Sequence, residues 1–271
     1  MSIRKFLKMK KKQEKIVMIT AYDYFSAKIA EAANVDMILV GDSASNVMLG
    51  NNDTIKIGME EMIIFVKAVK KGAPNTFIIG DMPFLSYQVS DSEAIKNAGL
   101  LLKAGADAIK LEGGLNVVPL IKKMVDFGIP VMGHIGFTPQ SYKQIGITSK
   151  GKTQTEEEVL LNSAKALEDA GAFSIVLEMV TEPVAKKISE ELAIPTIGIG
   201  SGRFCDGQVL VWHDLLGLNN EFEPKFLKKY LNGFELFKEA IENYSSEVKN
   251  GKFPEAKHAY KPIEEGSDQK L

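Results

Sequence analysis

Ile16-Val-Met-Ile-Thr-Ala-Tyr-Asp-Tyr24 is a short apolar run that leads straight into two tyrosines and an acid. A doubly wound open sheet, the main competing architecture, usually places a Gly-rich dinucleotide turn after its first strand. No glycine stands here. Outward from this run the chain repeats one theme. The further apolar runs are Met37–Gly41, Phe77–Asp81, Ala108–Glu112, Pro130–His134, Ser174–Glu178, Thr196–Gly200 and Val209–Trp212. They are nearly continuous in Val, Ile, Leu and Met, as strands buried on both faces must be. Amphipathic stretches lie between them: Met59–Lys71, Ser92–Ala104, Val117–Phe127, Thr155–Ala170 and Pro183–Leu192. In the first, Met62, Ile63, Val66 and Val69 recur at helical spacing. Asp91 is placed to cap the second, and Gly72, Gly105, Gly128 and Gly171 stand where a left-handed terminal residue is wanted. Eight such units predict an α/β fold, a (β/α)8 TIM barrel.

The 271 residues suffice for one such barrel, which runs to roughly 250 residues as a single domain. We expect a basic N-terminal arm over 1–15, one catalytic barrel over 16–250, with a long helical pattern at Pro224–Val248, and a polar extension over 251–271. Arg4, Lys5, Lys8, Lys10, Lys11, Lys12 and Lys15, with only Glu14 opposing, give the arm its charge, and a charge run of this kind predicts a solvated segment. The net charge of −2 offers no electrostatic footprint for nucleic acid. No apolar stretch approaches the ~18 residues of a membrane span. The one cysteine, Cys205, forms no intrachain disulfide and has no neighbour that makes it a nucleophile. These features together predict a soluble cytoplasmic protein without nucleic-acid or membrane partners.

Polar residues collect where the runs end. Asp42 and Asp81 follow two of them, Glu112, His134 and Glu178 three more. In a parallel barrel every strand's C-terminal end opens on one face, and that face carries the site. Lys110 and Glu112 lie two residues apart and share a face. They form either a structural ion pair or part of a polar cavity; Asp42 and Asp81 nearby favour the cavity. Asp42, Asp81 and Glu112 are hard oxygen donors suited to Mg2+, and the absence of a Cys/His cluster disfavours zinc. With Lys110 to balance negative charge and Glu178 as a spare carboxylate to move a proton, the set suits enolate chemistry. His134 reads either as a pocket hydrogen-bond partner or as a satisfied core imidazole. Gly198–Gly202 reads as a phosphate loop or as a tight turn. The long connections Ser43–Gly58 and Ile135–Gln154 are candidate lids, or simply solvent-exposed.

From about Ile16 to Pro262 the chain resembles the ketopantoate hydroxymethyltransferase family. The phrases that carry the resemblance are Thr20-Ala-Tyr-Asp23, Val40-Gly-Asp-Ser43, Gly80-Asp-Met-Pro-Phe84, Lys110-Leu-Glu-Gly-Gly114, Gly133-His-Ile-Gly-Phe-Thr-Pro139, Val176-Leu-Glu178 and Ile197-Gly-Ile-Gly-Ser-Gly202. The resemblance implies a barrel of the phosphoenolpyruvate/pyruvate superfamily. It implies hydroxymethyl transfer from 5,10-methylenetetrahydrofolate to 3-methyl-2-oxobutanoate, through a Mg-stabilised enolate, to give 2-dehydropantoate in pantothenate and coenzyme A biosynthesis. It assigns Mg2+ to Asp42, Asp81 and Glu112, the keto acid to Asp42, Ser43, Asp81 and Lys110, and the proton acceptor to Glu178. It also implies a homo-oligomer, a ring-like decamer. The alternative is a Mg-dependent oxo-acid lyase or phosphonomutase of the same superfamily. The isocitrate-type lyases of that group resemble one another in a Lys-Lys-Cys-Gly-His phrase that this chain lacks.

Overall fold

The computed structural model describes residues 2–221 and 223–262; residues 263–271 of the expected C-terminal extension lie outside the described residues. Eight parallel strands close into a barrel in sequence order. They are β1 (Ile16–Thr20), β2 (Met37–Val40), β3 (Phe77–Asp81), β4 (Ala108–Lys110), β5 (Val131–Gly136), β6 (Ser174–Glu178), β7 (Thr196–Ile199) and β8 (Gly207–Leu210). The ring closes where β1 pairs with β8, with Ile16 opposite Gly207 and Ile19 opposite Leu210. The open-sheet alternative is therefore excluded.

The helices, in chain order, are α1 (Arg4–Lys11), α2 (Tyr24–Ala32), α3 (Ala44–Val47), α4 (Met59–Gly72), α5 (Asp91–Ala104), α6 (Val118–Asp126), α7 (Tyr142–Ile145), α8 (Gln154–Asp169), α9 (Glu182–Glu191), α10 (Trp212–Leu215) and α11 (Gly233–Lys249). Their apolar stripes pack on the outside of the barrel, as Met62, Val66 and Val69 of α4 do, all fully buried. Two local readings are corrected. The side chain that caps α5 is Ser90, which accepts from the Glu93 N–H, and Asp91 is the first helical residue. Gly72 ends α4 without a left-handed conformation; a Cβ there would collide with the Tyr24 carbonyl oxygen, so the glycine lets α2 and α4 approach. Gly105, Gly128 and Gly171 do adopt positive φ.

The barrel interior is a second apolar cluster. Met18, Leu39, Phe77, Ile79, Ala108, Met132, Val176, Ile197 and Val209 point inward and fill its lower part. The N-terminal segment completes this cluster and is not a solvated arm. Phe6 of α1 is fully buried, with its ring edge-on to Phe77 at 5.0 Å, and Phe77 meets Phe173 at 5.8 Å. Ile3 and Met9, three positions to either side, pack on the same cluster. The lysines that made the segment look solvated pin it instead. Lys10 Nζ donates to the Ser189 carbonyl at 2.8 Å and to Asp206 at 2.8 Å, and Lys5 Nζ reaches Asp36 at 2.6 Å. Lys15 Nζ donates to the Cys205 carbonyl at 2.7 Å.

The long C-terminal helical pattern begins at Gly233 rather than Pro224. The apolar side chains Phe234, Phe237, Ile241, Tyr244 and Val248 of α11 are exposed and recur at helical spacing. Residues 251–262 that follow are exposed throughout. Among the described residues no helix is long and apolar enough to cross a membrane.

Candidate active site

Side chains two residues apart on a strand share a face, so each inward apolar position predicts the one above it. Phe77 and Ile79 lead to Asp81, Ala108 to Lys110 and Glu112, Met132 to His134, and Val176 to Glu178. The same inward rows that fill the lower barrel with apolar atoms end at the top in ionisable groups. Asp42 joins them from the turn after β2, where its backbone N–H donates to Asp81 Oδ2 at 3.1 Å. Asp42, Asp81, Lys110, Glu112 and His134 are all buried, while the Glu178 side chain keeps 16% of its exposure. Ser43 follows Asp42, and its Oγ is 2.8 Å from the Tyr22 hydroxyl.

Lys110 Nζ lies 2.8 Å from Asp81 Oδ1 and 3.6 Å from Glu112 Oε1. It also lies 3.3 Å from His134 Nδ1. His134 bridges two carboxylates, with Nδ1 3.3 Å from Glu112 Oε1 and Nε2 3.2 Å from Glu178 Oε2. The imidazole thus belongs to the polar cluster and not to an apolar core.

The electrostatics follow from three buried carboxylates beside one ammonium. Burial, reinforced by Asp81 and Glu112, holds the Asp42 carboxyl well above the usual carboxylate range. Burial also raises Asp81, against the pull of Lys110. Burial would lower the Lys110 ammonium, but Asp81, Glu112 and Asp42 outweigh it and keep the group charged above its ordinary range. For Glu112, burial acts upward and the cationic neighbours Lys110 and His134 win, so its carboxyl is held low. Burial and Lys110 oppose a proton on His134, yet Glu112 and the contact with Glu178 push it up to about 9.

One oxygen of each carboxylate is held by a neutral N–H donor. Asp42 Oδ2 accepts from Gln140 Nε2 at 3.0 Å, Asp81 Oδ2 from the Asp42 backbone, and Glu112 Oε2 from the Gln140 backbone at 3.0 Å. The other oxygens of Asp81 and Glu112 are buried and accept no well-aligned hydrogen bond. They face the Lys110 ammonium instead. Oxygen donors of this kind, with negative charge in excess, fit a hard divalent cation. Among the described residues no three carboxylate, imidazole or thiol groups stand close enough together to enclose an ion as they are. The donor set fits in kind and in charge, and the groups must draw closer together to enclose an ion.

Three residues to which the sequence reading gave no site role complete the site: Gln140, Tyr87 and Tyr22. Gln140 sits one residue beyond the Gly133–Pro139 phrase, and Pro139, which opens the 3-10 turn Pro139–Ser141, is the one local signal that the chain turns there. The Tyr87 hydroxyl accepts from the Glu112 N–H at 3.3 Å and donates to Gln140 Oε1 at 2.8 Å. The two long connections meet over the site, with the Tyr142 hydroxyl donating to Asp53 Oδ2 at 3.2 Å. The Gly198–Gly202 loop is a tight turn: Gly200 and Gly202 are left-handed, and Ser201 Oγ donates to the Leu177 carbonyl at 2.7 Å.

Two solved structures with this fold are distant in sequence. A phosphonopyruvate hydrolase in complex with oxalate and Mg2+ superposes with a TM-score of 0.63 at 11% identity, over 97% of this chain and 93% of that one. A 2,3-dimethylmalate lyase of the PEP mutase/isocitrate lyase superfamily gives 0.59 at 17% identity, over 92% and 98%. These show the barrel type. Sequence relatives are far nearer. The 3-methyl-2-oxobutanoate hydroxymethyltransferase of Kosmotoga olearia is 58% identical, over 94% of this chain and 95% of the relative. That of Thermotoga maritima is 58% identical over 96% of each, and that of Sulfurisphaera tokodaii 56% over 95% and 96%. The model of the ketopantoate hydroxymethyltransferase family matches residues 1–256. With a barrel of the right type and a polar cluster at its catalytic end, the chain belongs to the ketopantoate hydroxymethyltransferase family, a family of transferases.

Proposed function

We propose that this chain transfers a hydroxymethyl group from 5,10-methylenetetrahydrofolate to 3-methyl-2-oxobutanoate, forming 2-dehydropantoate on the route to pantothenate and coenzyme A. The observation that carries the reading is the cluster of three buried carboxylates around Lys110, with Glu178 partly open beside it. Asp42, Asp81 and Glu112 would hold Mg2+, which would supply Lewis acidity to the keto acid. The hydrolase neighbour solved with oxalate and Mg2+ supports that choice of ion.

The chain's own residues do the rest. Ser43, Asp42, Asp81 and Lys110 hold and orient the keto acid. Glu178 removes the C3 proton as general base. The Lys110 ammonium, kept charged by its carboxylate neighbours, balances the negative charge that develops on the enolate oxygen. The C3 carbon then bonds to the methylene carbon as one of the two folate nitrogens leaves it, water supplies the hydroxyl as the second nitrogen leaves, and both nitrogens take up protons to give tetrahydrofolate. On the outer side of the site the two long connections meet through Tyr142 and Asp53.

A cytoplasmic location belongs to the same reading, supported by the single buried thiol, Cys205. So does self-association into the decamer that the family resemblance implies, supported by the exposed apolar stripe of α11; sedimentation of the purified chain measures it.

The direct test is NMR of 3-methyl-2-oxobutanoate in D2O with the protein, with and without Mg2+, and then with tetrahydrofolate and formaldehyde. The expected result is metal-dependent loss of the C3 proton signal, followed by folate-dependent appearance of 2-dehydropantoate. Exchange without product would reassign the electrophile. Neither exchange nor product would overturn the reading.

A further inference from the structure

Two of the three N–H donors that fix the carboxylate cluster come from one residue that carries no charge. Gln140 is buried, with 5% of its surface exposed. Its backbone N–H holds Glu112 Oε2 and its side-chain amide holds Asp42 Oδ2, each at 3.0 Å. The remaining capacity of the amide is also used. Nε2 donates to the Met82 carbonyl at 2.9 Å, and Oε1 accepts from Tyr87 at 2.8 Å. A primary amide offers two donors and one acceptor oxygen, so the side chain is locked in one orientation. Its Nε2, and not its oxygen, faces Asp42, because the same atom also faces the Met82 carbonyl, which can only accept.

The consequence is directional. Each carboxylate has one oxygen tied by a neutral donor, which leaves the opposite oxygen for a cation. Asp81 and Glu112 show this division directly, with Oδ1 and Oε1 turned to Lys110 and without aligned hydrogen bonds. Asp42 and Glu112 come from different strand ends, and Gln140 comes from a third element, the connection between β5 and α8. Tyr142, two residues on, ties that connection to Asp53 in the other long connection.

We propose that Gln140 is a positioning residue for the cation site. It orients the Asp42 and Glu112 carboxylates toward a common ion and couples the β5–α8 connection to ion binding. The proposal rests on the reading of Asp42 and Glu112 as ion-binding carboxylates. Outer-shell partners of this kind are worth about 10- to 100-fold in metal affinity.

The test is titration of the full chain with Mn2+, the free ion being followed by EPR, alongside thermal melting of the metal-free protein. Gln140→Ala is expected to bind Mn2+ about ten-fold more weakly than wild type. Tyr87→Phe, which keeps the ring and removes only the hydroxyl that locks the amide, is expected to show a smaller loss in the same direction. A purely structural role for Gln140 would lower the melting temperature and leave Mn2+ affinity untouched. Wild-type affinity in Gln140→Ala, or in Tyr87→Phe should the first variant not fold, overturns the proposal while the ion reading stands. Failure of the wild-type chain to bind Mn2+ overturns the ion reading itself.

Discussion

The two ends of the barrel are built from the same inward rows of side chains and have opposite chemistry. At the lower end the rows present Phe77, Met132 and Val176, and α1 closes the opening with Phe6. At the upper end the next positions are Asp81, His134 and Glu178, with Lys110 and Glu112 from β4 and its continuation. Burial is nearly complete in both, yet its energetic meaning is reversed. Apolar atoms gain roughly 25 cal/mol per Å2 on leaving water, whereas buried charges lose their hydration and repay it only through well-placed partners. The lower end therefore carries stability and the upper end carries poised, partly compensated charge. A barrel can concentrate charge at one end because the other end is apolar and closed.

The sharpest way to break this comparison is to remove the base at the upper end without touching the fold. Glu178→Gln keeps the size of the side chain and stands at the edge of the cluster. C3–H exchange of 3-methyl-2-oxobutanoate, read by NMR, is expected to fall by about 100- to 10,000-fold, the scale of general-base catalysis. Binding of the keto acid and the melting temperature are expected to stay close to wild type. Unchanged exchange would remove Glu178 from the role.

The complementary substitution is at the lower end. Phe6→Ala leaves a void between Phe77 and the floor of the barrel and should cost about 3–5 kcal/mol of folding stability, read by chemical denaturation. Exchange activity per folded molecule should not change. A wild-type denaturation midpoint would mean that α1 is dispensable, as its charge alone implies.

That helix is also where reading the sequence met its limit. Its lysines and Arg4 outnumber its apolar residues, so charge masks the spacing of Ile3, Phe6 and Met9. Only the tertiary structure shows those lysines as anchors to Asp36, Ser189 and Asp206. The strands were readable because strands buried on both faces are nearly unbroken in Val, Ile, Leu and Met; β3 and β6 begin and end at the residues expected. The ionisable side chains were readable for the same reason, since a charge at the end of an apolar run stands out. Gln140 did not stand out. A neutral amide in a polar connection has no chemistry visible in one dimension, and its part emerges only when Asp42, Glu112 and Tyr87 arrive from three other segments.

The smallest expected effect concerns how much stability the upper end gives up. Asp42 is buried beside Asp81 and Glu112, and its carboxyl is held above the usual range by burial first and by those neighbours second. A carboxyl whose folded pKa exceeds its unfolded value of about 3.9 binds a proton more tightly in the folded state. Its contribution to stability is complete below that unfolded value and is lost as pH rises through the folded one. In chelator, wild-type stability should therefore carry a downward component as pH rises above about 4. Asp42→Asn keeps an oxygen to accept from Gln140 and removes the charge. The variant should be more stable than the wild type by about 1 kcal/mol near neutral pH, the usual scale when a functional site is relaxed, with the gap closing on acidification. Excess divalent cation should reverse the order, because only the wild type retains the charge that would hold the ion. If Asp42→Asn is the less stable protein in chelator at neutral pH, then Lys110 compensates the cluster fully and the upper end is no weaker than the lower.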